Sequence, residues 1–408
     1  MPRVLRIINR FNLGGPTHNA AYLTKYLGDD YETLLVGGMW DPSEEGSKHI
    51  LQDLGIEPLI LPEMRRDIAP WRDREAYRRI KRLIKEFKPD IVHTHASKAG
   101  AVGRLAASEM NVKAIVHTFH GHVFHSYFGS LRTNIYKNIE RFLARKSSRI
   151  IAISDRQKEE LVAEHRICEE DKVSVIPLGF DLTRFRTDRA QKRALFRQVY
   201  GLKEDEVAVG IIGRLVPIKD HDLFLRVLEK AARSSSKRIR AFIVGDGEER
   251  DRLEQLCAEL GIRFVAGPFF NGHGFGHGFR DRPMVEPVTL TFTSWIKEVD
   301  IVNAGLDIVM LTSRNEGTPV SLIEAQASDR PIVSTDVGGI ENVVLPGRTA
   351  LLRRSGDIEG LTADLVSLVE RPELRSDLGS KGWAYVQERY HYTRLVHDMG
   401  QLYASLLN

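Results

Sequence analysis

Two glutamates, Glu316 and Glu324, bracket the run Gly317-Thr318-Pro319-Val320-Ser321-Leu322-Ile323, the densest group of chemistry-bearing residues in this 408-residue chain. The apolar segment 307–311 precedes them, so Glu316 and Gly317 are expected in the loop at a strand's carboxyl end. Thr318 is a good N-cap and Pro319 suits the first helical position. The helix would then open on the backbone N–H groups of Val320, Ser321 and Leu322, which with the helix dipole make an anion site suited to a diphosphate. Glu324, further along, could accept hydrogen bonds from vicinal hydroxyls such as a ribose diol. Glu316 would face whatever is joined to the distal phosphate. Upstream, Gly213-Arg214-Leu215 ends another apolar run and Lys219 follows; such fixed positive charge can stabilise a departing diphosphate. Taken singly, the glutamates also suit a plain capped helix, and Arg214 and Lys219 plain surface charge.

Three further patches lie in the first half of the chain. Asn12-Leu13-Gly14-Gly15-Pro16 follows the opening apolar run, and it lacks the third glycine of a dinucleotide-binding G-x-G-x-x-G loop. His93-Thr94-His95-Ala96-Ser97-Lys98 also ends a strand-like run, and His95 and Lys98 are candidates for acceptor binding. His117-Thr118-Phe119-His120-Gly121-His122 is denser in histidine than ordinary core. Residues 267–289, rich in Gly, His and Phe, read as a long surface loop, with two histidines that lack carboxylate or thiol neighbours at metal-ligand spacing.

Positioning these residues requires a particular framework. Short apolar runs at 4–8, 33–36, 58–61, 91–93, 114–118, 149–153 and 173–176 alternate with helix-period segments such as 72–87. The rhythm restarts after residue 205, with runs at 207–212, 240–244, 262–265, 308–311 and 331–334. Such alternation predicts an α/β protein with parallel sheets covered on both faces. A chain of this length exceeds one ordinary core, so two doubly wound domains follow, with the seam at Ile176-Pro177-Leu178-Gly179-Phe180-Asp181.

With that frame in place, Glu316 and Glu324 within E-G-T-P-V-S-L-I-E-A, followed by Val337-Gly338-Gly339-Ile340-Glu341, resemble the E-x7-E signature of the retaining GT-B glycosyltransferases of family 4. The resemblance runs over nearly the whole chain. It implies two Rossmann-like domains facing across a cleft: 1–181 for the acceptor, 182–384 for the nucleotide sugar, and a helix in 385–408 packing back on the first. It also implies that Glu316 contacts the donor sugar, Glu324 the ribose, and the backbone from Gly317, Thr318 and Pro319 to Val320, Ser321 and Leu322 the sugar and phosphate. Gly210 to Lys219 is similar to the family's G-R-L-x-x-x-K stretch, which makes Arg214 and Lys219 diphosphate ligands. Gly14 and Gly15 resemble its first Gly-Gly loop near the phosphates, and His120 its first-domain histidine at the donor sugar, with His122 close by. Gly338-Gly339 is similar to a second glycine turn that lets backbone approach the donor. The implied activity is retaining transfer of a hexosyl or N-acetylhexosaminyl unit from a UDP-sugar to a glycan or lipid-linked acceptor, as in bacterial surface polysaccharide or glycolipid assembly, with no metal and no cofactor. Asp329 and Leu178 depart from the family's usual Gly and Asn, and 267–289 falls near the expected nucleobase pocket. A GT-B-like epimerase or hydrolase and a nonenzymatic nucleotide-sugar binder are the rival readings.

Composition bounds the remainder. With 42% hydrophobic and 28% charged residues the chain is globular, neither disordered nor fibrous. Cys168 and Cys257 form no C-x-x-C, and no secretory leader precedes the first apolar run, so a reducing, cytoplasmic location is expected. Net charge is +4, yet residues 63–149 carry 19 Lys and Arg against 8 Asp and Glu. Within that stretch Leu131, Ile135, Ile139 and Phe142 share one helical face, and Arg132, Lys137, Arg141, Arg145 and Lys146 surround it. Such a helix either lies on an anionic membrane surface or packs its apolar stripe on the first sheet. No nucleic-acid partner is expected.

Overall fold

A computed structural model describes residues 1–12, 14–39, 48–65, 67, 69–120, 130–266 and 288–408. The chain divides into two units, Met1–Phe180 with Arg389–Asn408, and Asp181–Glu388.

The first unit is built on strands β1 (Arg3–Arg10), β2 (Glu32–Gly38), β3 (Leu59–Ile60), β4 (Ile91–His95), β5 (Ala114–Thr118), β6 (Arg149–Ala152) and β7 (Val173–Val175). They form one parallel sheet in the order β3-β2-β1-β4-β5-β6-β7. Alternate residues of β1 point to opposite faces. Leu5 and Ile7 pack with Ile80 and Ile84 of helix Pro70–Phe87 and with Val102 and Ala106 of helix Ser97–Glu109. Val4 packs on the other face, with Leu23 of helix Gly15–Tyr26 and with Leu395, Met399 and Tyr403 of the C-terminal helix Tyr392–Leu407. Both faces are therefore covered, as parallel sheets require.

The second unit repeats the plan with β8 (Val207–Ile212), β9 (Ile239–Val244), β10 (Arg263–Ala266), β11 (Val288–Ser294), β12 (Ile308–Leu311), β13 (Ile332–Thr335) and β14 (Ala350–Arg353). The order is β10-β11-β9-β8-β12-β13-β14, again parallel. Val207, Val209 and Ile211 alternate into a core shared with Leu223, Leu225 and Leu228 of helix His221–Ser234. Two strands were absent from the sequence reading. β14 is only four residues long, and β11 begins inside the stretch taken as the 267–289 loop, so 288–289 are strand; residues 267–287 lie outside the described residues.

The division between units differs slightly from the expected boundaries. Residues 385–388 stay with the second unit because helix Gly382–Tyr390 is held there: Trp383 lies under the Arg186 guanidinium at 5.0 Å, and the Tyr385 hydroxyl donates to the Asn342 carbonyl at 2.9 Å. The return comes where Phe180 N–H donates to Tyr390 and Tyr392 N–H donates to Phe180. Arg394 then fixes the last helix by donating to the carbonyls of Pro177 and Leu178 at 2.6 and 2.9 Å.

Candidate active site

In a doubly wound sheet, ligands bind beyond the carboxyl ends of the strands, where neighbouring connections leave in opposite directions. In the second unit that point lies between β8 and β12, and it receives Arg214 and Lys219 from one loop and Glu316 and Gly317 from the other. The loops are bonded together. Arg314 N–H donates to the Ile218 carbonyl at 2.8 Å, and the Thr312 hydroxyl to the Asp220 carbonyl at 2.9 Å. Lys219 Nζ reaches Glu316 Oε1 at 2.5 Å, and the Ser313 hydroxyl donates to the same oxygen at 2.6 Å. Lys219 is thus engaged by Glu316 in this structure, while Arg214 is exposed. Ser313, fully buried, is a site residue that the sequence reading missed.

The glycine turn serves this loop. Gly338 has φ 55°, and a Cβ there would come within 2.1 Å of the Glu316 carbonyl oxygen. A Cβ on Gly339 would come within 1.8 Å of the Gly317 oxygen, and Gly339 N–H donates to the Glu316 carbonyl at 2.9 Å. Both glycines thus let the turn approach the Glu316–Gly317 backbone closely.

The helix runs Val320–Ala327, one residue later than expected. Pro319, extended, occupies the cap position that Thr318 was expected to fill, and no side chain caps the helix. Leu322 N–H already donates to the Pro319 carbonyl at 3.1 Å, so Val320 and Ser321 are the amides that open the helix. Glu324 is largely enclosed, and burial pushes its carboxyl up to about 7 against the pull of Arg184, whose Nη2 stands 3.9 Å away. Arg184 comes from the turn Thr183–Phe185, and no spacing in the sequence pointed to it. Asp329, just past the helix, takes φ 55°, and its carboxylate receives Arg186 at 2.6 Å and also Arg189. The strain that Gly would avoid is offset by two ion pairs.

The first unit has its corresponding point between β1 and β4. Gly14 (φ 150°) precedes helix Gly15–Tyr26, which carries no side-chain cap, and its carbonyl accepts from Thr17 and His18 N–H. The histidine patches converge. His93, His95 and His117 are fully buried. His93 bonds the Tyr403 hydroxyl at 2.6 Å and the Thr118 hydroxyl at 2.8 Å, and His117 bonds the Thr94 hydroxyl at 2.8 Å. His95 Nδ1 lies 3.0 Å from Nε2 of His120, which follows β5 and is only partly enclosed. Burial holds His120 down at about 3 and the other three well below the ordinary histidine value, so all four are neutral at neutral pH.

Two acceptor candidates have internal partners in this structure. His95 is fully buried. Lys98 is taken up internally, with Nζ 2.5 Å from Asp73 Oδ1 and 2.6 Å from the Asp67 carbonyl. His122 lies outside the described residues.

On helix Ser130–Arg145 the inward side is Tyr136, Glu140, Leu143 and Ala144, with Glu140 paired to buried Arg104 at 2.6 Å. Ile135, Ile139 and Phe142 face out, 52%, 43% and 51% exposed, so the apolar stripe does not pack on the sheet. Lys137 and Arg145 flank it, and Lys146 Nζ stands 5.0 Å from the Phe142 ring centre. Arg141 is instead tied to Asn138 and to the carbonyls of His165 and Arg166. The Arg132 and Leu131 side chains lie outside the description. No helix among the described residues is long and apolar enough to cross a membrane.

The sequence holds one Asp-x-Asp pair, Asp220-His221-Asp222. Asp220 accepts from Arg314 at 2.9 Å and Asp222 pairs with Arg252, and no group of three or more metal-ligating side chains occurs among the described residues.

Two seven-stranded parallel sheets, each with its loops gathered at such a switch point, define the GT-B fold. Anabaena HepE in complex with UDP superposes with a TM-score of 0.76 at 19% identity, covering 99% of this chain and 100% of that one. Sucrose-phosphate synthase from Thermosynechococcus elongatus superposes with 0.75 at 20% identity, covering 100% and 99%. The model described as Glycosyltransferase Family 4 matches residues 13–184, and models described as Glycosyl transferases group 1 match 192–265 and 277–371. The chain belongs to glycosyltransferase family 4. An Escherichia coli UDP-Gal:alpha-D-GlcNAc-diphosphoundecaprenol alpha-1,3-galactosyltransferase is 27% identical over 320 residues, 78% of this chain and 76% of that protein. A Nocardia farcinica D-inositol 3-phosphate glycosyltransferase is 31% identical over 300 residues, 70% of this chain and 60% of that protein.

Proposed function

We propose that the protein transfers a sugar from a UDP-sugar to a glycan or lipid-linked acceptor, with retention at the anomeric carbon and without a divalent ion. The observation that carries this reading is the junction of Lys219 and Glu316 beside a helix that opens on two amides and carries Glu324. The diphosphate sits on the Val320 and Ser321 amides with Arg214 and Lys219, Glu324 accepts from the ribose hydroxyls, and Glu316 and His120 meet the sugar. The bond from the anomeric carbon to the phosphate oxygen breaks with its electron pair going to the diphosphate. The acceptor oxygen bonds to the same face of that carbon, and its proton passes to a diphosphate oxygen. No enzymatic nucleophile is needed. The E. coli relative, whose name gives a UDP-sugar and a lipid-linked acceptor, supports the substrate classes.

Incubation with radiolabelled UDP-sugars and a panel of glycan and polyprenyl-diphosphate acceptors, with NMR of the product's anomeric proton, tests the reading. Sugar release without an acceptor would favour a hydrolase, a rearranged donor an epimerase, and binding without turnover a carrier.

A second reading concerns where the acceptor is met. The outward stripe Ile135, Ile139 and Phe142, with Lys137, Arg145 and Lys146 beside it, suits an anionic bilayer surface, where each basic residue contributes about 1 kcal/mol. Sedimentation with vesicles should require anionic lipid, weaken with salt and fail for a variant carrying Ile139→Glu, Arg145→Glu and Lys146→Glu. Arg141 is left unchanged because its contacts are structural. Sedimentation that ignores lipid charge would point to a soluble acceptor.

A further inference from the structure

His95 and His120 share one hydrogen bond, and its direction decides what His120 offers a ligand. Both rings are neutral, so one nitrogen of the 3.0 Å pair carries the proton and the other a lone pair. The two remaining nitrogens, His95 Nε2 and His120 Nδ1, are buried and have no partner among the described residues. If His120 Nε2 were the donor, the second N–H of the pair would fall on His95 Nε2, in a ring with no exposed surface. A buried N–H without an acceptor is rarer and costlier than a lone pair without a donor. If His95 Nδ1 is the donor, the leftover N–H falls on His120 Nδ1, which is also buried in this structure but belongs to a ring less enclosed than that of His95, at the carboxyl end of β5.

The His95 ring is also held in place. His93 packs against it, tilted by 34°, with ring centres 4.2 Å apart. His93 in turn is held between Tyr403 and Thr118, and Arg6 Nη2 donates to the Tyr403 oxygen at 3.2 Å. That oxygen, already accepting from Arg6, gives its own proton to His93 Nδ1, which leaves the His93 proton on Nε2 facing Thr118. A line of fixed groups therefore runs from Arg6 through the C-terminal helix to the back of His95.

We propose that His95 is a positioning residue: it donates from Nδ1 to His120 Nε2 and thereby fixes His120 as the Nδ1–H tautomer, an N–H donor for a sugar hydroxyl. The sugar part rests on the function proposed above; the tautomer part does not.

Ring-nitrogen NMR on the full-length 15N-labelled protein reads the tautomer directly, with His120 assigned by its loss in His120→Ala. The expected result is an Nδ1–H tautomer for His120 in the wild type, lost in His95→Phe and restored in His95→Asn, whose amide nitrogen stands near the place of Nδ1. In turnover assays His95→Phe should lower kcat about ten-fold, the worth of one hydrogen bond, with UDP affinity unchanged, and His95→Asn should recover most of it. An Nε2–H tautomer in the wild type overturns the proposal, as does a His95→Asn protein that restores neither tautomer nor kcat. Should His95→Phe fail to fold, the wild-type spectrum and His95→Asn decide. Unchanged turnover in His120→Ala would remove the sugar role of His120 and leave the tautomer result standing.

Discussion

Lys219 Nζ and Glu316 Oε1 meet at 2.5 Å and so join the loop that leaves β8 to the loop that leaves β12. The two strands are neighbours in the sheet although they are far apart in the chain, and the pair closes the point where their connections diverge. Both side chains are largely enclosed, with 20% and 10% of their surface exposed, so the contact is worth more than a surface ion pair.

A double-mutant cycle on Lys219→Met and Glu316→Gln should therefore show coupling of about 1 kcal/mol or more in urea denaturation. Lys219→Met should also weaken UDP binding, whereas Glu316→Gln should lower turnover and leave UDP affinity nearly intact. Calorimetry with UDP separates the two, and equal losses of affinity would refute the division of roles.

Glu324 makes binding depend on pH. Its carboxyl, raised by burial to about 7, is ionised at pH 8 and mostly protonated at pH 6. Only the ionised form accepts from both ribose hydroxyls, so UDP affinity should fall roughly ten-fold from pH 8 to pH 6. Glu324→Gln should bind weakly at both values, and comparing it with the wild type cancels the titration of UDP itself. Identical pH slopes in the two proteins would exclude the carboxylate from the ribose.

The same group sets a pH trend in stability. A carboxyl whose folded value lies above its unfolded one binds more protons when folded, so stability declines as pH rises from about 4.5 through 7. Glu324→Gln should accordingly be more stable than the wild type at pH 8, by at most roughly 3 to 4 kcal/mol, and no more stable at pH 4. Thermal melts at the two pH values check this, and a constant difference would place the cause elsewhere.

Metal dependence tests the electrostatics. If Arg214, Lys219 and the Val320 and Ser321 amides carry the diphosphate, transfer should survive EDTA. Loss of activity restored by Mg²⁺ or Mn²⁺ would assign the charge stabilisation to an ion.

At Asp329, two effects oppose each other. Asp329→Gly relieves a left-handed residue, worth about 1 to 2 kcal/mol, yet removes the acceptor of Arg186 and Arg189, each worth about 1.5 to 3 kcal/mol. The ion pairs should win, and urea denaturation should show a less stable protein. A gain in stability would mean that the arginines find other partners at no cost.

The alternation of short apolar runs with helix-period segments determined by itself the two parallel sheets, because strands buried on both faces are mostly apolar and the crossovers between parallel strands are mostly helices. The run from Glu316 to Glu324 was legible for a similar reason, since a loop and the first turn of one helix are local and spacing describes them. β11 was legible too in Val288-Thr289-Leu290-Thr291-Phe292-Thr293, but the Gly-rich segment before it hid the start of the pattern. Only the tertiary structure decided what each charged or imidazole group meets. Lys98 is held by Asp73, Glu324 lies near Arg184, Arg141 anchors to backbone carbonyls, and His95 lies against His120. These partners come together through strand order and helix placement, and a one-dimensional pattern does not encode which distant segments become neighbours.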